Sequence, residues 1–194
     1  LVGSEMCIRD SLVERITDKE LTTGLLEEEL REIIFKRDDI VKDRFDRIVD
    51  QAIVLDIDEP MDRDEFFKTV AENLSGRLDI DPERLLSFLK RREEESSTAI
   101  TPMLAIPHIV IEGEGKFCLL LARSKTGIKF NEEFPSVKAV FVLIGTRDER
   151  NFHLKALSSI AQIVSDTAFE KNWLEARDER GLKDVILLGR RMRF

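Results

Sequence analysis

The chain has 194 residues and two histidines, and each histidine stands where an imidazole could do chemistry. His108 closes the stretch "AIPH". Pro107 fixes its own φ and holds Ile106 extended, so the site is stiff. Ala105, Ile106, Ile109 and Val110 are apolar, which puts the ring at the edge of a dry surface. The turn "EGEG" that follows leaves the site reachable. His153 falls near the start of a helix, beside the apolar face formed by Leu157 and Ile160. A helix N-terminus presents free N–H groups and partial positive charge, which suits an anion such as a phosphoryl group. The plainer alternative for either ring is a buried or half-buried histidine satisfied by the backbone. A zinc site is poorly supported, because no cysteine cluster or third carboxylate ligand accompanies the two rings. The chain has no G-x-S-x-G elbow, no P-loop and no dinucleotide-binding glycine pattern.

The composition narrows the field further. The chain is 42% hydrophobic and 36% charged, which allows a core and a well-solvated surface. Its net charge of −8 argues against nucleic acid, since phosphate backbones are held by surplus Lys and Arg. Twelve Phe, one Trp and no Tyr do not suggest a base-stacking platform. No apolar run approaches the ~18 residues of a membrane span. Cys7 and Cys118 fit neither a zinc spacing nor a disulfide framework, so a reducing, cytoplasmic setting is expected. Cys118, within "FCLLLA", reads as a small buried hydrophobe.

The elements that would carry the histidines run as follows. Residues 1–11 look like a non-native leader. Residues 12–45 read as a charged helical connector. Leu30, Ile34, Val41, Phe45, Ile48 and Ala52 make one helical stripe, interrupted by Asp38. "AIVLDIDEP" predicts a strand. Asp62 and Glu65 form a capping-box pattern, with Gly76 as the closing cap, and Asp81 with Pro82 starts a second helix. "KFCLLLARS" and "VKAVFVLIGT" have the length and apolar continuity of strands covered on both faces, with "KTGIKFNEEFPS" as a loop between them. A long helix follows, capped by Thr146 and Glu149, with Leu154, Leu157, Ile160, Ala161 and Val164 as its buried stripe. "TAFEKNWLEAR" repeats the Thr-x-x-Glu start, and "RGLKDVILLGRR" is a last helix or strand. The expectation is an α/β layered sandwich: a mixed β-sheet flanked by helices, preceded by a charged N-terminal helix.

"RREEESSTAITPMLAIPH" resembles the active-site segment of the IIA domains of the phosphoenolpyruvate-dependent sugar phosphotransferase system, of the mannitol, fructose and nitrogen-regulatory type. That segment has the form R-E-x-x-x-S-T-x-I-x-x-x-x-A-I-P-H. Arg92 stands sixteen residues before His108, and Ser97-Thr98 falls on the Ser-Thr pair. A second motif, an H-L-x-x-L helix start after an apolar strand, places its histidine at His153. The resemblance covers about residues 46–194. One departure is plain: the family often has a glycine-rich stretch before A-I-P-H, and residues 96–104 contain no glycine.

The resemblance implies that His108 takes a phosphoryl group from a phosphohistidine carrier protein and becomes phosphohistidine. A neutral imidazole nitrogen is a competent nucleophile near pH 7. Arg92 would supply a fixed charge and a fork of donors, His153 a hydrogen bond to the phosphoryl oxygens, and Thr98 a substrate contact. The phosphoryl group would pass to a IIB-type domain, or the phosphorylated state would act on a regulated transporter. Neither a metal nor an organic cofactor is required by this chemistry. The competing expectation is a sensory or binding module that keeps the fold and does not transfer phosphate. The missing glycines favour it, whereas Arg92, His108 and His153 favour transfer.

Overall fold

The computed structural model describes residues 23–37 and 41–194. Two compact units divide the chain, residues 1–42 and 43–194. In the first, the described element is helix α1 (Thr23–Arg37). The leader and Asp38 lie outside the described residues. The stripe read from Leu30 to Ala52 does not make one continuous helix. α1 ends at Arg37, Val41 is exposed, and a new helix, α2 (Arg44–Gln51), opens on an Asp43–Asp46 capping box.

The second unit continues with β1 (Ile53–Ile57), β2 (Met61–Asp62), α3 (Arg63–Leu78) and α4 (Pro82–Glu95). It proceeds through β3 (Leu104–Ala105), β4 (His108–Ile111), β5 (Phe117–Lys129) and β6 (Val137–Thr146). A 3₁₀ turn (Arg147–Glu149) leads into α5 (Arg150–Val164), α6 (Phe169–Glu175) and α7 (Glu179–Leu187). The antiparallel pair β5–β6 forms the middle of a mixed sheet. β1 and β2 run parallel to β5 on one edge, and β3 and β4 run parallel to β6 on the other.

Side chains alternate across a strand, so one apolar run supplies two cores. Leu120, Ala122, Val140, Val142 and Ile144 pack with Phe66, Phe67, Val70, Leu74, Leu85 and Leu89 of α3 and α4. On the opposite face Phe141 meets Phe169 and Trp173 of α6. Both faces are covered, which is why these strands read as continuous rather than alternating. No helix of the described residues is long and apolar enough to cross a membrane.

Several local expectations shift. α3 runs past Gly76 to Leu78, and Asp79, with φ of 53°, is its left-handed cap. The stretch after Ser124 is not a loop: β5 continues to Lys129 through an irregular register between Arg123 and Ile128. Gly127 makes that bulge, with φ of 95° and Ser136 packed where a Cβ would be. The Thr146 side chain does not cap α5. It turns instead to Lys116, accepting its N–H at 3.1 Å and donating to its carbonyl at 3.2 Å. The intervening 3₁₀ turn rotates α5, so its buried face is His153, Ala156, Ser159, Ile160 and Ile163, while Leu154 is exposed. α6 starts on Ala168 without a side-chain cap. Cys118 is half-buried, and burial raises the pKa of its thiol.

The compact unit begins at Asp43, three residues ahead of the expected boundary at Asp46. The reason is a buried ion cluster. Arg191 donates to Asp43 at 2.8 and 2.9 Å and pairs with Asp46 at 2.7 Å, and the Phe194 N–H also reaches Asp43. Burial alone would raise the pKa of the Asp43 carboxyl, but these donors hold it well below the usual carboxylate range. Residues 43–45 are therefore part of the domain rather than of a connector.

Candidate functional site

β4 begins on His108, opposite Leu143 of β6. The approach to it is clamped from both sides. The Leu143 N–H donates to the Pro107 carbonyl at 2.9 Å, and the Ile106 N–H donates to the Thr98 carbonyl at 2.9 Å. The Ile106 carbonyl then lies 2.8 Å from His108 Nδ1. A carbonyl can only accept, so in the neutral ring Nδ1 carries the proton and Nε2 carries the lone pair. In the neutral, half-buried His108 ring the free lone pair therefore sits on Nε2.

His153 is the fourth residue of α5 and is 4% exposed. Its ring centre lies 6.0 Å from that of His108, at 67°. Phe117 of β5 packs edge-on against it at 5.5 Å. Neither ring nitrogen has a hydrogen-bond partner. Burial, with a smaller contribution from the neighbouring His108, lowers its pKa to about 4, so the ring is neutral at pH 7. Gly145 of β6 makes the space: a Cβ there would lie 2.8 Å from the Phe117 ring and 3.4 Å from His153 Nδ1.

Arg92 sits in the last turn of α4, half-buried, and donates to the Ser96 carbonyl at 3.0 Å. Among the described residues it has no bond to either imidazole. Four more N–H donors of its guanidinium remain for an incoming oxyanion. Thr98 is placed differently from the expectation. It is buried, and its hydroxyl donates to Glu93 Oε2 at 2.5 Å. Phosphoryl oxygens accept hydrogen bonds, and a hydroxyl proton already given to Glu93 is not available to them. As placed, Thr98 supports the segment before His108.

The glycine-free stretch before His108 has a simple basis. Thr101 Oγ1 accepts the N–H groups of Met103 at 3.3 Å and Leu104 at 3.1 Å, and Ala99 bridges to Ala105. The described residues with positive φ are Asp79, Gly113, Gly115 and Gly127. None falls between residues 96 and 107, so this loop needs no glycine. Sequence reasoning singled out neither Gly145 and Phe117, which shape the His153 pocket, nor Glu93, which anchors Thr98. Glu93 carried a signal: it directly follows Arg92 and occupies the Glu of the R-E-x-x-x-S-T pattern.

The described residues contain no group of three or more His, Cys, Asp and Glu that could hold a metal ion. The model of the family described as "Phosphoenolpyruvate-dependent sugar phosphotransferase system, EIIA 2" matches residues 48–188. The chain belongs to this family. Its members carry a phosphoryl group on a histidine. Among similar proteins is the "PTS system fructose-specific EIIABC component" of Bacillus subtilis (strain 168), 29% identical over 113 residues. That match covers 58% of this chain and 18% of the much longer relative. The "Nitrogen regulatory protein" of Bradyrhizobium diazoefficiens is 32% identical over 105 residues, covering 54% of this chain and 69% of that protein. The fold also matches the crystal structure of the nitrogen regulatory protein IIA-Ntr of Neisseria meningitidis, with a TM-score of 0.63 at 20% identity. That likeness covers 69% of this chain and 92% of the solved one.

Proposed function

We propose that His108 is the phosphorylated nucleophile of this IIA domain. Its Nε2 lone pair attacks the phosphorus of a phosphohistidine on a carrier protein. The new N–P bond forms as the carrier's own N–P bond breaks, and the carrier imidazole leaves with the electron pair. His153, neutral at pH 7, donates an N–H to a phosphoryl oxygen, and Arg92 turns from Ser96 to offer its fork of donors. The observation that carries the reading is the pairing itself: a tautomer-fixed His108 facing, at 6.0 Å, a second imidazole with no partner of its own.

A protein partner suits the surroundings. Exposed apolar side chains lie close in sequence to the two histidines: Val110 two after His108 and Leu154 directly after His153. The acceptor is a IIB-type domain, in keeping with the combined A, B and C components in the Bacillus relative's name, or a transporter regulated by the phosphorylated form. The cytoplasm is where such carriers meet.

Arg92 bonded to Ser96 favours a second reading, a sensory module that keeps the fold without transferring phosphate. Incubation with phosphoenolpyruvate, the first enzyme of the system and its small phosphocarrier separates the two. Uptake of one acid-labile phosphoryl group, seen in the intact mass, supports transfer. No uptake from any carrier supports the sensory module.

A further inference from the structure

We infer that Glu93 is a positioning residue for His108: it anchors the segment whose Ile106 carbonyl fixes the histidine's tautomer. The inference deepens the assignment of His108 as nucleophile and rests on it for its effect on rate. Three glutamates end α4, and they are not alike. Glu94 and Glu95 are exposed, while Glu93 is 5% exposed. At the C-terminal end of a helix, a buried carboxylate is opposed by the macrodipole and by desolvation. It is kept by donors. Glu93 Oε2 accepts the Thr98 N–H at 2.9 Å and the Thr98 hydroxyl at 2.5 Å, and Oε1 accepts the Ser97 hydroxyl at 2.9 Å. Bonds to a carboxylate are among the stronger and more directional ones in proteins.

From Glu93 the chain of contacts to the His108 ring is continuous. Thr98, held at its amide and hydroxyl, offers its carbonyl to the Ile106 N–H at 2.9 Å. The Ile106 carbonyl faces His108 Nδ1 at 2.8 Å. Ser97 Oγ, oriented by its bond to Glu93, also receives the Asn131 amide at 3.1 Å and the Ala99 N–H at 3.3 Å, which ties the same segment to the loop after β5. Losing Glu93 leaves a buried N–H and hydroxyl at Thr98 without an acceptor, and the Ile106 peptide loses the support that aims its carbonyl at the ring. Nδ1 then has no fixed acceptor, and the proton redistributes between the two ring nitrogens. The fraction of rings with a lone pair on Nε2 falls, and so does the alignment of that lone pair.

The test is the ¹⁵N NMR signature of the His108 ring in the full chain at neutral pH, with transfer from the small phosphocarrier measured in parallel. The wild type is expected to show a protonated Nδ1 and an unprotonated Nε2. Glu93→Ala should show a mixture of tautomers and transfer slowed about 10- to 100-fold, the scale of a misplaced reacting group. Glu93→Gln, which keeps one acceptor oxygen, should recover most of both. A purely structural role would lower the melting temperature without moving the tautomer. A folded Glu93→Ala protein with the wild-type tautomer overturns the inference. If Glu93→Ala does not fold, Thr98→Val and Glu93→Gln decide: unchanged tautomers in both overturn the inference, and a shift in Thr98→Val that is smaller in Glu93→Gln supports it. If the wild type takes up no phosphate while Glu93→Ala still shifts the tautomer, the transfer reading fails and the positioning role stands.

Discussion

The two histidines face each other across 6.0 Å, yet they are held by opposite means. His108 is fixed by polar contacts at each step behind it, from Glu93 through Thr98 and Ile106 to Nδ1. His153 is held by packing alone, edge-on to Phe117 and over Gly145, with both nitrogens unpartnered. A nucleophile needs one defined lone pair, and a fixed tautomer supplies it. A donor to a group that comes and goes needs an N–H with no prior commitment. Buried polar atoms without partners are uncommon in native proteins, and a site that receives a ligand is one place where they are tolerated. Burial serves each ring differently as well. It keeps His153 neutral, so an oxyanion meets a hydrogen-bond donor rather than a fixed cation.

The largest expected effect breaks the asymmetry outright. His108→Ala should carry no phosphohistidine under conditions that fully load the wild type, as read from the intact mass before and after mild acid. Phosphate retained on that variant would mean the nucleophile lies elsewhere. His153→Gln keeps a donor in a different place and should slow transfer on the order of a hundredfold while leaving it measurable. Complete loss would give His153 a role beyond donation. Arg92→Ala should reduce the rate to a similar degree with little change in melting temperature, since one part-exposed charge contributes modestly to folding. Arg92→Lys should recover only part, because a point charge lacks the two-pronged donor geometry. An unaltered rate in Arg92→Ala would leave the guanidinium as no more than a helix-end contact to Ser96.

Much of this arrangement was legible in the sequence, and the exceptions share a cause. The strands at 116–124 and 137–146 were visible as apolar runs, and the Asp62–Glu65 and Asp81–Pro82 helix starts as local chemistry that needs no tertiary partner. The family was legible from the spacing of Arg92, Ser97-Thr98 and His108. What was not legible depends on distant contacts. The extension of β5 to Lys129 rests on Ile128 pairing with Val137 across a bulge. The 3₁₀ turn ahead of α5 goes with a Thr146 side chain bonded to Lys116, thirty residues away, instead of capping the helix. Glu93 stands at the Glu of the R-E-x-x-x-S-T pattern, but what it holds depends on which face of α4 meets Thr98. Asp43 is tied into the domain by Arg191 and Phe194, which come back to it from the far end of the chain.

A smaller effect sharpens the contrast in burial. The unfolded chain protonates His153 near pH 6.5, the folded one only near pH 4. The unfolded state therefore binds more protons inside that window. Stability from this group is full above pH 6.5 and falls as the pH drops towards 4, by about 3 kcal/mol at most. Denaturant melts across that range should show the slope in the wild type and a shallower one in His153→Gln. Equal slopes would mean that His153 titrates normally. The smallest expected change is Gly145→Ala. Its methyl group would press on Phe117 and should cost about 1–3 kcal/mol of stability. It should alter the ring resonances of His153 more than those of His108.

The central claim is that the phosphoryl group resides on Nε2 of His108. Phosphorus–nitrogen and proton–nitrogen correlation NMR on the ¹⁵N-labelled, phosphorylated chain reads the bonded atom directly. Phosphorus coupled to Nε2 of His108, with Nδ1 still protonated, is the expected result. Coupling to Nδ1 of His108 or to either nitrogen of His153 would contradict it.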